Sequence, residues 1–135
     1  MILVIDANSV ISALIKDSKA RQIIVSGKFR LVTPEFLSEE LYKHTKYIAG
    51  KAGISDNEVR LLTIMLLRHI RIVPKSEYGE ELDEAVKIMK NDVRDAPYVA
   101  CYLALKCDGI WTNDADYYNK AGIRIVSTGY LLKLL

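Results

Sequence analysis

The chain of 135 residues is 50% hydrophobic and 27% charged, which suits one compact domain spanning residues 1–135 and argues against disorder. A protein relying on broad phosphate neutralisation is usually more basic than a formal net charge of +2, so nucleic acid is permitted as a partner but not demanded. "MILVI" is too short for a signal-peptide core, and "LLTIMLL", flanked by Arg60 and Arg68, is too short to span a bilayer; a cytoplasmic protein with no membrane partner is expected.

Five short β-like runs stand out in chain order: Ile2–Ile5, 29–33, Ile70–Val73, 109–112 and 124–126. Each is rich in β-branched or aromatic residues. Between them run stretches of helical period at 8–27, 35–69 and 77–106, a short turn near 114–120, and a final apolar helix in "LLKLL". "GKAG" at 50–53 marks a turn between two helices, and no other clear break, repeat or linker interrupts the pattern. Alternating strands and helices without hairpin signals predict a parallel sheet between helical layers. Cys101 and Cys107 fall six apart in one predicted helix, too poorly placed to pair, and read as small buried hydrophobes.

In such a sheet ligands bind beyond the carboxyl ends of the strands, and several acids fall there. Asp6 closes the first strand in "VIDAN". An acid at that position is commonly a helix N-cap, but Asn8 is available to cap and would free Asp6 for the crevice. The helix after the second strand starts near Pro34 and carries an apolar stripe at Leu37, Leu41 and Ile48. At 100° per residue Glu40 falls about 60° from Leu37 and Glu39 about 160° away, so Glu40 faces the protein and needs a partner. His44, one turn on, shares its face as a supporting or packed histidine. Pro97 places the start of the next helix between Asp92 and Arg94, with Asp95 in its first turn, where an acid either complements the helix dipole or serves a site. Asp114 follows the fourth strand; Asp116 either reaches the same place or stabilises the turn.

If the fourth strand lies beside the first, Asp6 and Asp114 stand about 5 Å apart, where two carboxylates at an effective dielectric near 20 repel by roughly 3 kcal/mol. A cluster of three or four acids would be strained without a divalent cation. Oxygen donors without a Cys/His cluster point to Mg²⁺ or Mn²⁺, and a hydrated Mg²⁺ suits phosphodiester hydrolysis. Arg94, Lys43 and Lys46, close in sequence to these acids, are the candidate phosphate contacts. Eight tyrosines and the long helical middle imply a homodimer.

The stretches "VIDANSVISAL", "TPEFLSEEL", "DVRDAPYVACYLAL" and "IWTNDADYY" followed by "IRIVS" together resemble the PIN-domain family of nucleases, including VapC-type toxins. They span nearly the whole chain in the family's order. The resemblance implies a three-layer α/β/α fold with a five-stranded parallel sheet of order 3-2-1-4-5 and a metal-dependent endoribonuclease acting on RNA. It also implies an acidic quartet of Asp6, Glu40, Asp95 and Asp114, with Asp116 auxiliary. Asn8 and Thr112 match polar positions beside the first and fourth acids. Residues 49–90 carry no family motif. The resemblance fits the toxin of a toxin–antitoxin pair, with an antitoxin protein as partner, and equally an RNA-processing enzyme.

Other readings of a wound α/β sheet fit less well. A phosphoacceptor receiver domain wants paired acids after the first strand and an acceptor Asp after the third, which here ends in "VPKSEY". A dinucleotide-binding domain wants GxGxxG after the first strand, which is missing. The remaining alternative is a catalytically silent module that binds RNA or an antitoxin.

Overall fold

The computed structural model describes residues 1–16, 18–90, 92–114 and 122–135. Its five strands, β1 (Ile2–Ile5), β2 (Arg30–Pro34), β3 (Ile70–Val73), β4 (Gly109–Trp111) and β5 (Ile125–Val126), form one sheet of order β3-β2-β1-β4-β5. Every pairing is parallel. With helices on both faces, this is the expected three-layer PIN-like arrangement. The expected strands are all present, with ends shifted by at most a residue.

The central strand explains itself chemically. Leu3, Val4 and Ile5 are wholly buried, as an unbroken apolar run must be when both faces are covered. Its register against β4 aligns Leu3 with Gly109, Val4 with Ile110 and Ile5 with Trp111. At the start of the pair the Asp108 carboxylate accepts the Ile2 N–H at 2.7 Å. At the far end the buried Trp111 indole N–H donates to the Thr128 hydroxyl at 3.0 Å.

The helical stretches are more broken than their periodicity implies. The first divides into α1 (Ala7–Ile15) and α2 (Lys19–Ser26), because the Ser18 hydroxyl accepts the Arg21 N–H and starts a second helix. The second divides into α3 (Phe36–Lys43), α4 (Thr45–Ala52) and α5 (Asp56–Leu67). Gly53, in the left-handed region, ends α4, and a Ser55/Glu58 capping box opens α5, which confirms the turn read at "GKAG". The break at His44 has no such signal. The third stretch becomes α6 (Lys75–Tyr78), a 3₁₀ turn, α7 (Leu82–Met89), a second 3₁₀ turn over Val93–Asp95, and α8 (Ala96–Ala104). Cys107 therefore lies beyond α8 rather than within it. Both thiols are buried and free, and burial pushes Cys101 up to about 12 and Cys107 to about 11, which suits inert packing. The last described helix is α9 (Thr128–Lys133). Among the described residues, no helix is long and apolar enough to cross a membrane.

Gly109 is required by close packing. A Cβ there would stand 3.2 Å from the Arg124 carbonyl oxygen, 3.5 Å from Leu3 and 3.6 Å from Val126. Gly109→Ala is expected to cost about 1–2 kcal/mol by forcing β5 away from β4. Urea unfolding checks this; an unchanged midpoint would show that β5 gives way freely.

Candidate active site

The β1/β4 register carries straight into the site. Because Ile5 is opposite Trp111, the next residues, Asp6 and Thr112, emerge side by side at the carboxyl edge. The Asp6 N–H donates to the Trp111 carbonyl at 3.4 Å. The expectation that Asn8 caps the first helix is corrected here. Asp6 is itself the N-cap of α1, accepting the Ser9 N–H at 2.9 Å, while Asn8 sits exposed inside the first turn. Capping and the site are not alternatives for this carboxylate.

Asp6 is buried, and its pKa is raised chiefly by desolvation. Hydrogen bonds from Thr112 and Ser9 oppose that rise, and the neighbouring charge of Glu40 adds to it. Thr112 is buried and does two jobs at once. Its hydroxyl donates to Asp6 while its oxygen accepts the Asp114 N–H at 3.0 Å. One threonine thus ties the first acid to the backbone that carries the fourth.

Glu40 lies half-buried on α3, and Glu39 is exposed, as the helical-face reasoning requires. The partner Glu40 needs is Tyr98 on α8, whose hydroxyl donates to its Oε1 at 2.5 Å. Sequence reasoning missed Tyr98, although it stands three residues after Asp95 in "DAPY" and so shares a helical face with it. Asp95 closes the 3₁₀ turn and is the cap position of α8, with Pro97 in the first turn. Its side chain makes no cap hydrogen bond and is left to the site. Burial, then the charges of Glu40 and Asp6, push Asp95 up to about 6, while Arg94 acts weakly the other way.

All four acids line one cleft of about 240 Å³, together with Ala7, Asn8, Ile11, His44 and Arg94. His44 and Arg94 are exposed at its walls; Lys43 and Lys46 are exposed on α3 and α4 and do not line it. Asp116 lies outside the described residues. Among the described residues no three His, Cys, Asp or Glu side chains stand close enough to form a ready-made metal cage. The donor set nevertheless suits a hard, partly hydrated cation, since Mg²⁺ retains several waters and takes only one or two carboxylates directly. The charge coupling of Asp95 to Glu40 and Asp6 is the repulsion such an ion would relieve.

A parallel 3-2-1-4-5 sheet with carboxylates gathered at its carboxyl edge defines a nuclease-type fold. The PIN domain matches residues 4–132, nearly the whole length, and the chain belongs to the PIN-domain family. PIN domains are generally nucleases and typically use divalent metal ions. No curated protein matches the chain significantly.

Asp95 also makes stability depend on pH. A carboxyl whose pKa rises on folding holds its proton more tightly in the folded chain than in the unfolded one. Its stabilising effect is full below about 3.8 and is lost as pH rises through about 6, leaving the full cost of burying the charge, and of its repulsion by Glu40 and Asp6, above that. With a chelator present, Asp95→Asn should therefore stabilise the protein near neutral pH by on the order of 1–2 kcal/mol, allowing for solvent screening at the cleft mouth. Near pH 4 the gain should vanish. Urea midpoints at the two pH values test this, and a gain independent of pH would assign it to something other than charge.

Proposed function

We propose that the chain is a metal-dependent endoribonuclease that hydrolyses RNA phosphodiester bonds in the acid-lined cleft. One observation carries this reading: four carboxylates from four separate segments share a single cleft. Asp6, Glu40, Asp95 and Asp114 would hold Mg²⁺ or Mn²⁺, with Asp116 a further candidate. When bound, the ion supplies an activated water and neutralises charge on the scissile phosphate. The chain's own groups keep the acids in place. Ser9 and Thr112 fix the Asp6 carboxylate, Thr112 also holds the Asp114 backbone, and Tyr98 fixes Glu40. Arg94 is the one Lys or Arg lining the cleft among the described residues, and it is placed to meet a substrate phosphate. Lys43 and Lys46 would extend that contact along the exposed surface.

In this reading residues 1–135 work as one domain in the cytoplasm, either as the toxin of a toxin–antitoxin pair or as an RNA-processing enzyme. A short upstream reading frame encoding an antitoxin separates the two roles. A homodimer is part of the proposal. Leu61, Ile64 and Met65 lie at i, i+3 and i+4 on α5, 63%, 56% and 60% exposed, and Ile64 shares a groove with Tyr42. A stripe of that kind supports helix-to-helix contact between two copies.

Asp6→Asn retains a capping oxygen and removes the charge, so it isolates the role of the acid. Asp6→Asn, Asp114→Asn and Glu40→Gln should each reduce Mn²⁺-dependent cleavage of RNA by about a hundredfold or more, whereas Glu39→Gln should leave it largely intact. In thermal melts the wild type should gain about 2.7 kcal/mol from a hundredfold excess of Mn²⁺ over its Kd, and Asp6→Asn much less. A wild-type melt indifferent to saturating metal would remove the metal site and the mechanism with it. Sedimentation at micromolar concentration should show a dimer that Ile64→Glu converts to monomer; a wild-type monomer would exclude self-association through α5.

A further inference from the structure

Past Asn8, Ile11 and His44 the acid cleft adjoins a second groove, between α1 and α4, that shares all three residues with it. This groove has a volume of about 570 Å³. Its walls are the half-buried Ile11 and Ile15 and the Tyr47 ring, 53% exposed, and Lys16 is its cation. The Lys51 ammonium stands over one face of the Tyr47 ring, 6.0 Å from its centre, on a flexible side chain that a base could displace. An exposed aromatic ring with aliphatic neighbours is a stacking surface that any nucleobase can use, and cations beside it suit the phosphates on either side of that base.

His44, where groove and cleft meet, adds a directional group. Its Nδ1 stands 2.7 Å from the Glu40 carbonyl oxygen. A carbonyl can only accept, so Nδ1 bears the proton in the neutral ring. Nε2 is then left as an acceptor on an exposed side chain that lines both cavities. A ribose 2′-hydroxyl can donate to such an acceptor; a deoxyribose has nothing to donate.

We infer that this groove receives the nucleotide next to the scissile phosphate of an RNA strand, its base against Tyr47, Ile11 and Ile15 and its 2′-hydroxyl donating to Nε2 of His44. The inference rests on the reading of the acid cleft as an RNA-hydrolysing site. It adds a stacking platform and a group that distinguishes RNA from DNA, neither of which takes part in the bond cleavage itself. Continuity with the acids favours this occupant over a peptide, since whatever fills the groove reaches the Asn8 and His44 end of the cleft.

The test uses one cleavable oligoribonucleotide and two series of derivatives, one with a single abasic residue and one with a single 2′-deoxyribose at successive positions. Competition cleavage with Mn²⁺ measures relative kcat/KM. One nucleotide beside the cut should stand out in both series, with a loss of about tenfold for each change. Tyr47→Leu should become indifferent to the abasic change at that nucleotide while still sensing the deoxyribose. His44→Ala should show the converse. Both positions are exposed, and each variant is compared with itself on paired substrates, so a general loss of activity cannot imitate the result. If both variants discriminate as the wild type does, the groove assignment is overturned while the nuclease reading stands. If the wild type cleaves no RNA with any divalent metal, the nuclease reading fails and takes this inference with it. Should the two variants instead alter only the binding of a protein partner, the groove belongs to a peptide and the inference is wrong.

Discussion

Parallel pairing of β1 with β4 is the constraint on which the rest of the site depends. It places the residues after Ile5 and Trp111 together at one edge, and the Thr112 hydroxyl then couples Asp6, at the end of one strand, to the backbone of Asp114, beyond the other. The acids repel one another, so their assembly must be imposed by something stronger than their own interactions. The wholly buried core of Leu3, Val4, Ile5, Ile110 and Trp111 supplies it. The remaining two acids arrive on helices whose N-terminal ends face the same edge. In a parallel sheet every strand ends and every crossover helix begins on that side.

Much of this was legible in the chain because hydrophobic period and strand composition are local signals. The apolar run of β1, the β-branched β3 and the alternation with helices identify the layers directly. Glu40 was separable from Glu39 by helical phase alone, measured from Leu37 and Leu41, which do share α3. The stripe does not continue to Ile48 on the same helix. Ile48 is buried, but on α4, beyond the break at His44.

The features that the chain did not disclose have a common physical origin. Caps and breaks depend on which polar group wins a local competition for backbone hydrogen bonds, and neighbouring candidates look alike in sequence. Asp6 and Asn8 are both good cap residues, and the one at the strand end takes the position because it alone has the extended backbone a cap requires. The bond from Tyr98 to Glu40 spans 58 positions and belongs to no local pattern. Thr112 is readable as a polar neighbour, yet its double bonding to Asp6 and Asp114 comes only from strand register.

The single tryptophan of the chain turns the sheet into its own optical probe. Trp111 is wholly sealed from water and bonded to Thr128, one residue before the threonine that joins two of the acids. Its emission should therefore be blue and should redden as β5 and α9 peel from β4. The loosening of that half of the sheet can then be tracked in unmodified protein, at sub-micromolar concentration and without any label.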